Sequence, residues 1–200
     1  MEAASSTTLL EPTSYRAIQG VTNVRAMLAS GFTAIRDLGN AGDYGDAALR
    51  RAIEEGWIPG PLMQVAGRII APFGGQFTLQ PERRDLAEPE YFFADTVEEI
   101  RMAVRENIHF GADVVKLVVD DQRYDYTEDE IRAAVEEAAR AGVPVTAHAY
   151  TDEPARAAIL AGVVSLEHAT YLSDGVLQLM KERNVYLVGT DFPQRYSPRS

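Results

Sequence analysis

Lys116 stands in the middle of the apolar run DVVKLVVD, residues 113–120, while His148 and His168 close the runs VPVTAHA and VVSLEHA. Burying a bare ammonium is costly, and the usual escapes are snorkelling, pairing or neutralisation. For Lys116 one escape is a salt bridge to Asp120, Asp121 or another carboxylate at the strand end. The other is chemical. A neutral lysine amine can take up carbon dioxide to form a carbamate, which replaces a buried cation by an anion with two oxygens able to bridge metals. Two neutral imidazoles can share one divalent ion. For His148 or His168 alone, a satisfied core histidine is the better reading. Both at matching strand ends favour a ligand pair. The third histidine, His109 in ENIHF, falls in the last turn of a helical pattern and reads as a surface residue that favours the helix C-terminus.

Composition narrows the chemistry. The 200 residues suffice for one domain with a sizeable core. There is no cysteine, which excludes disulfides, thiolate nucleophiles and Cys-based zinc sites. A formal net charge of -11 argues against nucleic acid as a partner, because phosphate binding needs a basic face. No apolar run reaches the ~20 residues of a membrane helix. The start, MEAASSTTLLEPTS, has no positive segment followed by an apolar one, so the expected location is the cytoplasm.

The elements that must position these residues alternate. Helical patterns run through VTNVRAMLAS (Val21, Val24, Met27 and Leu28 on one face), GDAALRRAIEEG, TVEEIRMAVRENIHF, TEDEIRAAVEEAARAG, EPARAAILAG and SDGVLQLMKERN. Strand patterns follow them in FTAIRDLG, LMQVAG, DVVKLVVD, VPVTAHA, VVSLEHA and VYLVGTD. Thr96 with Glu99, and Thr127 with Glu130, are spaced as capping boxes. Gly31, Gly111, Gly142 and Gly162 precede strands, where a left-handed glycine closes a helix. About six β-α units with no clear linker imply an α/β fold on a mainly parallel sheet. Two architectures fit: an open doubly wound sheet, or part of a (β/α)8 TIM-type barrel. Asp37, Lys116, His148, His168 and Asp191 all lie in or beyond the C-terminal half of a strand, and several strands each donating a polar side chain favours the barrel. No phosphate-cradling glycine fingerprint follows the first strand. Asp37 itself reads as structural, pairing with Arg36 or capping the loop.

Taken together, GFTAIRDLGNAGDYGDAALRRAIEEGWIPGP, ADVVKLVVDD, GVPVTAHAY and AGVVSLEHATYLSDGVLQLMKERN resemble the amidohydrolase superfamily of metal-dependent hydrolases, particularly its prolidase-like and imidazolonepropionase-related members. The resemblance covers most of the chain after about Tyr15. It implies a (β/α)8 barrel in which Lys116 is the carboxylated lysine of the fourth strand, and His148 and His168 are the metal histidines of the fifth and sixth. It implies a divalent metal, zinc by the imidazole and carbamate donors, with manganese, cobalt or iron as alternatives. A metal-activated water then attacks the carbonyl of a small amide, peptide or cyclic amide or ester substrate.

The sequence departs from that pattern. The His-x-His pair of the family's first strand has no counterpart, since all three histidines are placed. Asp191 in LVGTDFP resembles the catalytic aspartate of the eighth strand, yet unit order sets it at the end of the seventh. Gln76, in the loop APFGGQFT, stands where relatives often carry a histidine. A whole barrel takes ~250 residues, so the expectation is its central part: strands two to seven, with the first and eighth absent. Residues 1–14 form a polar lead, 15–193 the partial barrel and 194–200 a tail. Unpaired sheet edges would then invite association between copies of the chain. Two other functions remain open: a catalytically incomplete paralogue keeping only the second-metal ligands, and a complete open-sheet α/β domain that binds a small molecule.

Overall fold

The structure, a computed structural model, describes residues 11–190 apart from 77 and 79. In chain order the elements are helix α1 (Thr13–Ala29), strand β1 (Ala34–Asp37), α2 (Gly45–Glu54), β2 (Leu62–Val65), β3 (Ile69–Ala71), a 3-10 segment (Pro81–Leu86), β4 (Tyr91–Phe93), α3 (Val97–His109), β5 (Val115–Val118), α4 (Glu128–Ala139), β6 (Val145–Ala149), α5 (Asp152–Ala161), β7 (Ser165–His168), α6 (Asp174–Arg183) and β8 (Tyr186–Gly189). Every strand pairing is parallel. One sheet has the order β4-β3-β5-β6-β7-β8, and β1 pairs with β2 in a second.

The expected helices form for the expected reasons. Thr96 and Glu99 close a capping box on α3, and Thr127 and Glu130 close one on α4. Gly162 ends α5 at φ +102°, a conformation open to glycine at little cost. The apolar face of α1 is narrower than the sequence implies. Only Val24 is buried on it and Met27 is exposed, because the helix packs mainly against α2.

Eight strands stand where the sequence reading has six. The reading has LMQVAG alone in this region, whereas β2 is followed by two further strands, β3 and β4. Gly67, at φ +66°, turns the chain between β2 and β3, and a Cβ there would meet the Tyr44 ring at 2.8 Å. Below the bend β2 pairs with β1, and above it β3 lies between β4 and β5. Asp113 keeps the bent region attached to β5: the Val65 amide donates to Asp113 Oδ1 at 2.7 Å, and the Asp113 amide donates to the Val65 carbonyl at 3.0 Å.

Helix α3 packs on α4, α4 on α5 and α5 on α6. These helices cover one face of the sheet, where Val115, Leu117, Val119, Val145, Ala147, Ala149 and Leu166 join Ile100, Val104, Ile131, Ile159 and Val176 in the main core. A doubly wound sheet would divide its helices between two faces. The opposite face carries Lys116 beside Thr146 and Thr146 beside Ser165 in register, and a small apolar cluster of Ile69, Ala71, Tyr91 and Val118. The sheet does not close on itself among the described residues. All four residues of β8 are exposed, and so is Leu62 on β2.

One side-chain tie spans this open gap. Arg36 on β1 donates from Nη2 to Glu167 Oε1 on β7 at 2.9 Å and from Nη1 to Ser165 Oγ at 3.3 Å. Arg36→Ala leaves the Glu167 carboxylate, 5% exposed, without its cation. It should lower the unfolding free energy by roughly 1–3 kcal/mol, discounted for the partly exposed guanidinium. Adding Glu167→Gln should recover part of that loss. Urea denaturation of both variants tests the tie, and an Arg36→Ala melt superimposable on wild type would refute it.

Candidate functional site

Lys116, His148 and His168 come together on the sheet face away from the helices. Lys116 is 5% exposed and His148 is 2% exposed. The two imidazole rings lie 4.7 Å apart, centroid to centroid, at 64°. They do not occupy equivalent register positions as the sequence suggests. His148 stands opposite Glu167, and His168 stands opposite Ala149. In a regular strand His168 would share the helix-facing side with Leu166. Instead His168 adopts φ +72° and Ala169 φ +50°, and the irregular strand end allows the ring to meet His148. A left-handed non-glycine residue is uncommon, and such backbone strain concentrates at functional sites.

The surroundings set the charge states. Burial holds His148 down to about 3, with further lowering from Lys116 and His168, so its imidazole is neutral at neutral pH. Burial also lowers His168, again with a contribution from Lys116. Lys116 is lowered to about 8: desolvation dominates, the Glu167 carboxylate opposes it and Arg36 adds to it. Neither Asp120 nor Asp121 pairs with the lysine among the described residues. The nearby charges acting on it come from Glu167 and Arg36.

Each ring has one nitrogen engaged by the protein. His148 Nε2 is 3.4 Å from Asp120 Oδ1 and 3.3 Å from Gln76 Nε2, while His168 Nδ1 pairs with Thr190 Oγ1. Gln76 is fastened in place by Tyr91, whose hydroxyl donates to Gln76 Oε1 at 3.0 Å, and by its own donation to Asp121 Oδ2 at 3.1 Å. Gln76 therefore does more than turn the chain. Tyr150 stacks its ring edge near both histidines, at 4.4 Å from His148 and 5.5 Å from His168.

Tyr150 and Thr190 belong to this constellation, although the sequence reading assigns them no role in it, and Asp120 joins it beside His148 and not as the expected partner of Lys116. The available signal is position: Asp120 and Tyr150 are polar residues within two positions of the ends of two buried strands. Asp191 lies outside the described residues. His109 ends α3, exposed, with its ring against Phe110 at 5.0 Å.

The donor set suits one divalent ion. Two neutral imidazoles have lone pairs free for a cation, and the buried Asp120 carboxylate lies 3.4 Å from one of them. Among the described residues no three His, Cys, Asp or Glu side chains converge on one point. A third protein donor would therefore be Lys116.

An amidohydrolase family model matches residues 4–196. The chain belongs to the amidohydrolase family. Ochratoxinase of Aspergillus niger is 34% identical over 188 residues, which cover 82% of this chain and 38% of that enzyme. A prolidase crystallised with N-methylphosphonate-L-proline superposes with a TM-score of 0.80 at 31% identity, covering 94% of this chain and 49% of that one. A Xaa-Pro dipeptidase with bound methionine gives a TM-score of 0.76 at 30% identity over 86% and 45% of the two chains. This amidohydrolase chain thus spans less than half the length of these relatives. Among the described residues no helix is long and apolar enough to cross a membrane.

Asp37, at the end of β1, is structural as expected but not paired with Arg36. Its Oδ1 accepts the Gly39 amide at 3.3 Å. Burial, then the nearby Asp46 charge, raise its carboxyl from 3.8 to about 6. The folded state therefore holds this proton more tightly than the unfolded chain, and the group's contribution to stability falls as pH rises from about 4 to 6. Asp37→Asn keeps the acceptor and removes the buried charge. It should stabilise the protein at pH 7 by on the order of 2 kcal/mol, with the gap closing below pH ~4. Thermal melts across pH 4–7 check this, and a pH-independent difference would contradict it.

Proposed function

We propose that this chain forms the metal-holding arc of a (β/α)8 amidohydrolase barrel that hydrolyses an amide or peptide bond of a small substrate. The observation that carries the reading is the pair of neutral imidazoles, brought 4.7 Å apart from adjacent strands over a buried lysine. Relatives named as a prolidase, a Xaa-Pro dipeptidase and an ochratoxinase support the hydrolase class. The one-sided helix layer and the exposed β1–β2 and β8 edges support an arc whose gap further strands would fill.

His148, His168 and Lys116 would hold the ion, with zinc the best match to imidazole donors. A bound ion would supply an activated water and polarise the substrate carbonyl. The chain's own residues prepare that chemistry. Both imidazoles are already neutral, so neither has to lose a proton before donating a lone pair. With its pKa near 8, Lys116 is a free amine in roughly one molecule in ten at pH 7. The amine lone pair forms an N–C bond to carbon dioxide, one C=O pair moves onto oxygen, and nitrogen releases a proton. The product is a carbamate of charge -1. Arg36 favours that anion and Glu167 opposes it.

A second reading has its own support. All three histidines are accounted for, two at the site and one on an exposed helix end, so the donors of a first metal are missing from this chain. On that reading it retains one ion and the fold core but turns over little substrate, and its exposed edges pair with further copies.

Elemental analysis of protein purified without chelator should find about one divalent ion per chain, lost on combined His148→Ala and His168→Ala substitution. Chelator-sensitive hydrolysis of a Xaa-Pro dipeptide panel separates the first reading from the second. Metal-free wild type, or metal retained by the double variant, would falsify the site.

A further inference from the structure

Asp120 follows β5 and is 3% exposed. Its two carboxylate oxygens live in different surroundings. Oδ2 accepts the Tyr150 amide at 2.7 Å, the Thr151 amide at 2.9 Å and the Thr151 hydroxyl at 3.1 Å. Oδ1 is sealed from solvent with no hydrogen-bond partner, 3.4 Å from His148 Nε2. A buried carboxylate oxygen left unpaired forfeits the hydration it had in water. Here one oxygen is anchored by three donors, and the other stands beside an imidazole nitrogen.

Gln76 competes for that nitrogen, with its Nε2 at 3.3 Å. The two neighbours demand opposite tautomers. Asp120 needs a proton on His148 Nε2, whereas the Gln76 amide would donate to a bare one. The carboxylate should prevail, because charge-assisted hydrogen bonds are about twice as strong as neutral ones. The Gln76 amide nitrogen also has another acceptor, Asp121 Oδ2 at 3.1 Å, while Asp120 Oδ1 has none.

We propose that Asp120 is the positioning residue of His148. It accepts the Nε2 proton, fixes that tautomer, and leaves Nδ1 as the lone-pair donor to a divalent ion. This role rests on the metal-site reading above. His168 is held the other way round, by Nδ1 to Thr190, which frees its Nε2. A carboxylate behind a metal-bound imidazole orients the ring and raises its basicity. Through Oδ2 the same carboxylate fixes the turn after β6 that carries Tyr150, whose ring edges both histidines. One side chain thus sets a ligand's tautomer and the wall beside it.

Asp120→Asn is the discriminating variant. Its amide oxygen can still accept from Tyr150 and Thr151, but its amide nitrogen now faces His148 Nε2 and imposes the opposite tautomer. Long-range proton–nitrogen NMR of the histidine rings, on the full chain without metal, should show His148 protonated at Nε2 in wild type and at Nδ1 in Asp120→Asn. Zinc affinity, by competition with a chromogenic chelator, should fall about 10- to 100-fold in that variant. Thr151→Val removes one donor to Oδ2 without touching the tautomer, and should leave zinc affinity within about twofold. Wild-type His148 protonated at Nδ1 overturns the proposal. So does unchanged zinc affinity in Asp120→Asn when His148→Ala has lost it, and that result leaves the metal site standing. A wild-type chain that binds no zinc overturns the metal reading and the Asp120 role together.

Discussion

The Glu167 carboxylate is where the inner face of this sheet is knotted. Its Oε1 accepts Thr146 Oγ1 at 2.6 Å, Ser165 Oγ at 3.0 Å and Arg36 Nη2 at 2.9 Å, linking β6, β7 and β1. It is also the anion whose field opposes the loss of charge on Lys116. A buried carboxylate must be satisfied in this way or become protonated. Around it the inner face of β6 and β7 carries polar side chains, while a small apolar cluster of Ile69, Ala71, Tyr91 and Val118 occupies the β3–β5 end. The main apolar core lies on the opposite face, between sheet and helices. The helices meet the sheet there with small residues, among them Ala103, Ala134, Ala138, Ala155 and Ala158, which let the backbones approach the strands closely.

That division explains what could be read from sequence. Helices α3 and α4 announce themselves through capping boxes, and β5 through its valines, because these signals are local. Lys116 stood out for the same reason: an ammonium among valines contradicts its neighbours, and local contradiction tends to mark function. The pairing of His148 with His168 was legible only as a tendency. Strand-end histidines in consecutive units suggest adjacency, but the offset register and the left-handed His168 depend on β6–β7 pairing, which no short stretch encodes.

The missed features share a longer reach. Arg36 and Glu167 are 131 residues apart, and nothing near Arg36 distinguishes this partner from the adjacent Asp37. Strands β3 and β4 have three residues each, too short to show a period, and the bend between β2 and β3 rests on one glycine, Gly67. Asp120 was visible as a strand-end carboxylate and a candidate partner for Lys116. Its actual neighbour, His148, comes into reach because Val118 and His148 stand side by side in the ladder, which carries the end of β5 to the end of β6.

Burial also sets the proposed metal donors apart from the open edges of the sheet. Lys116, His148 and His168 sit on β5, β6 and β7. The first two strands are buried along their whole length, and so are the first three residues of β7. The exposed strand residues are Ala34 and Arg36 on β1, the start of β2 and all of β8. The strands that present the donors are thus supported by the helix-covered core and not by closure of the sheet, and Arg36 is the side chain that reaches them from the exposed side. Affinity for a metal should therefore follow the packing of β5–β7, whereas enclosing a substrate requires walls along the gap between β8 and β1. On the proposed function, binding an ion and turning over a substrate would be separable, for a reason found in where the apolar surface is covered.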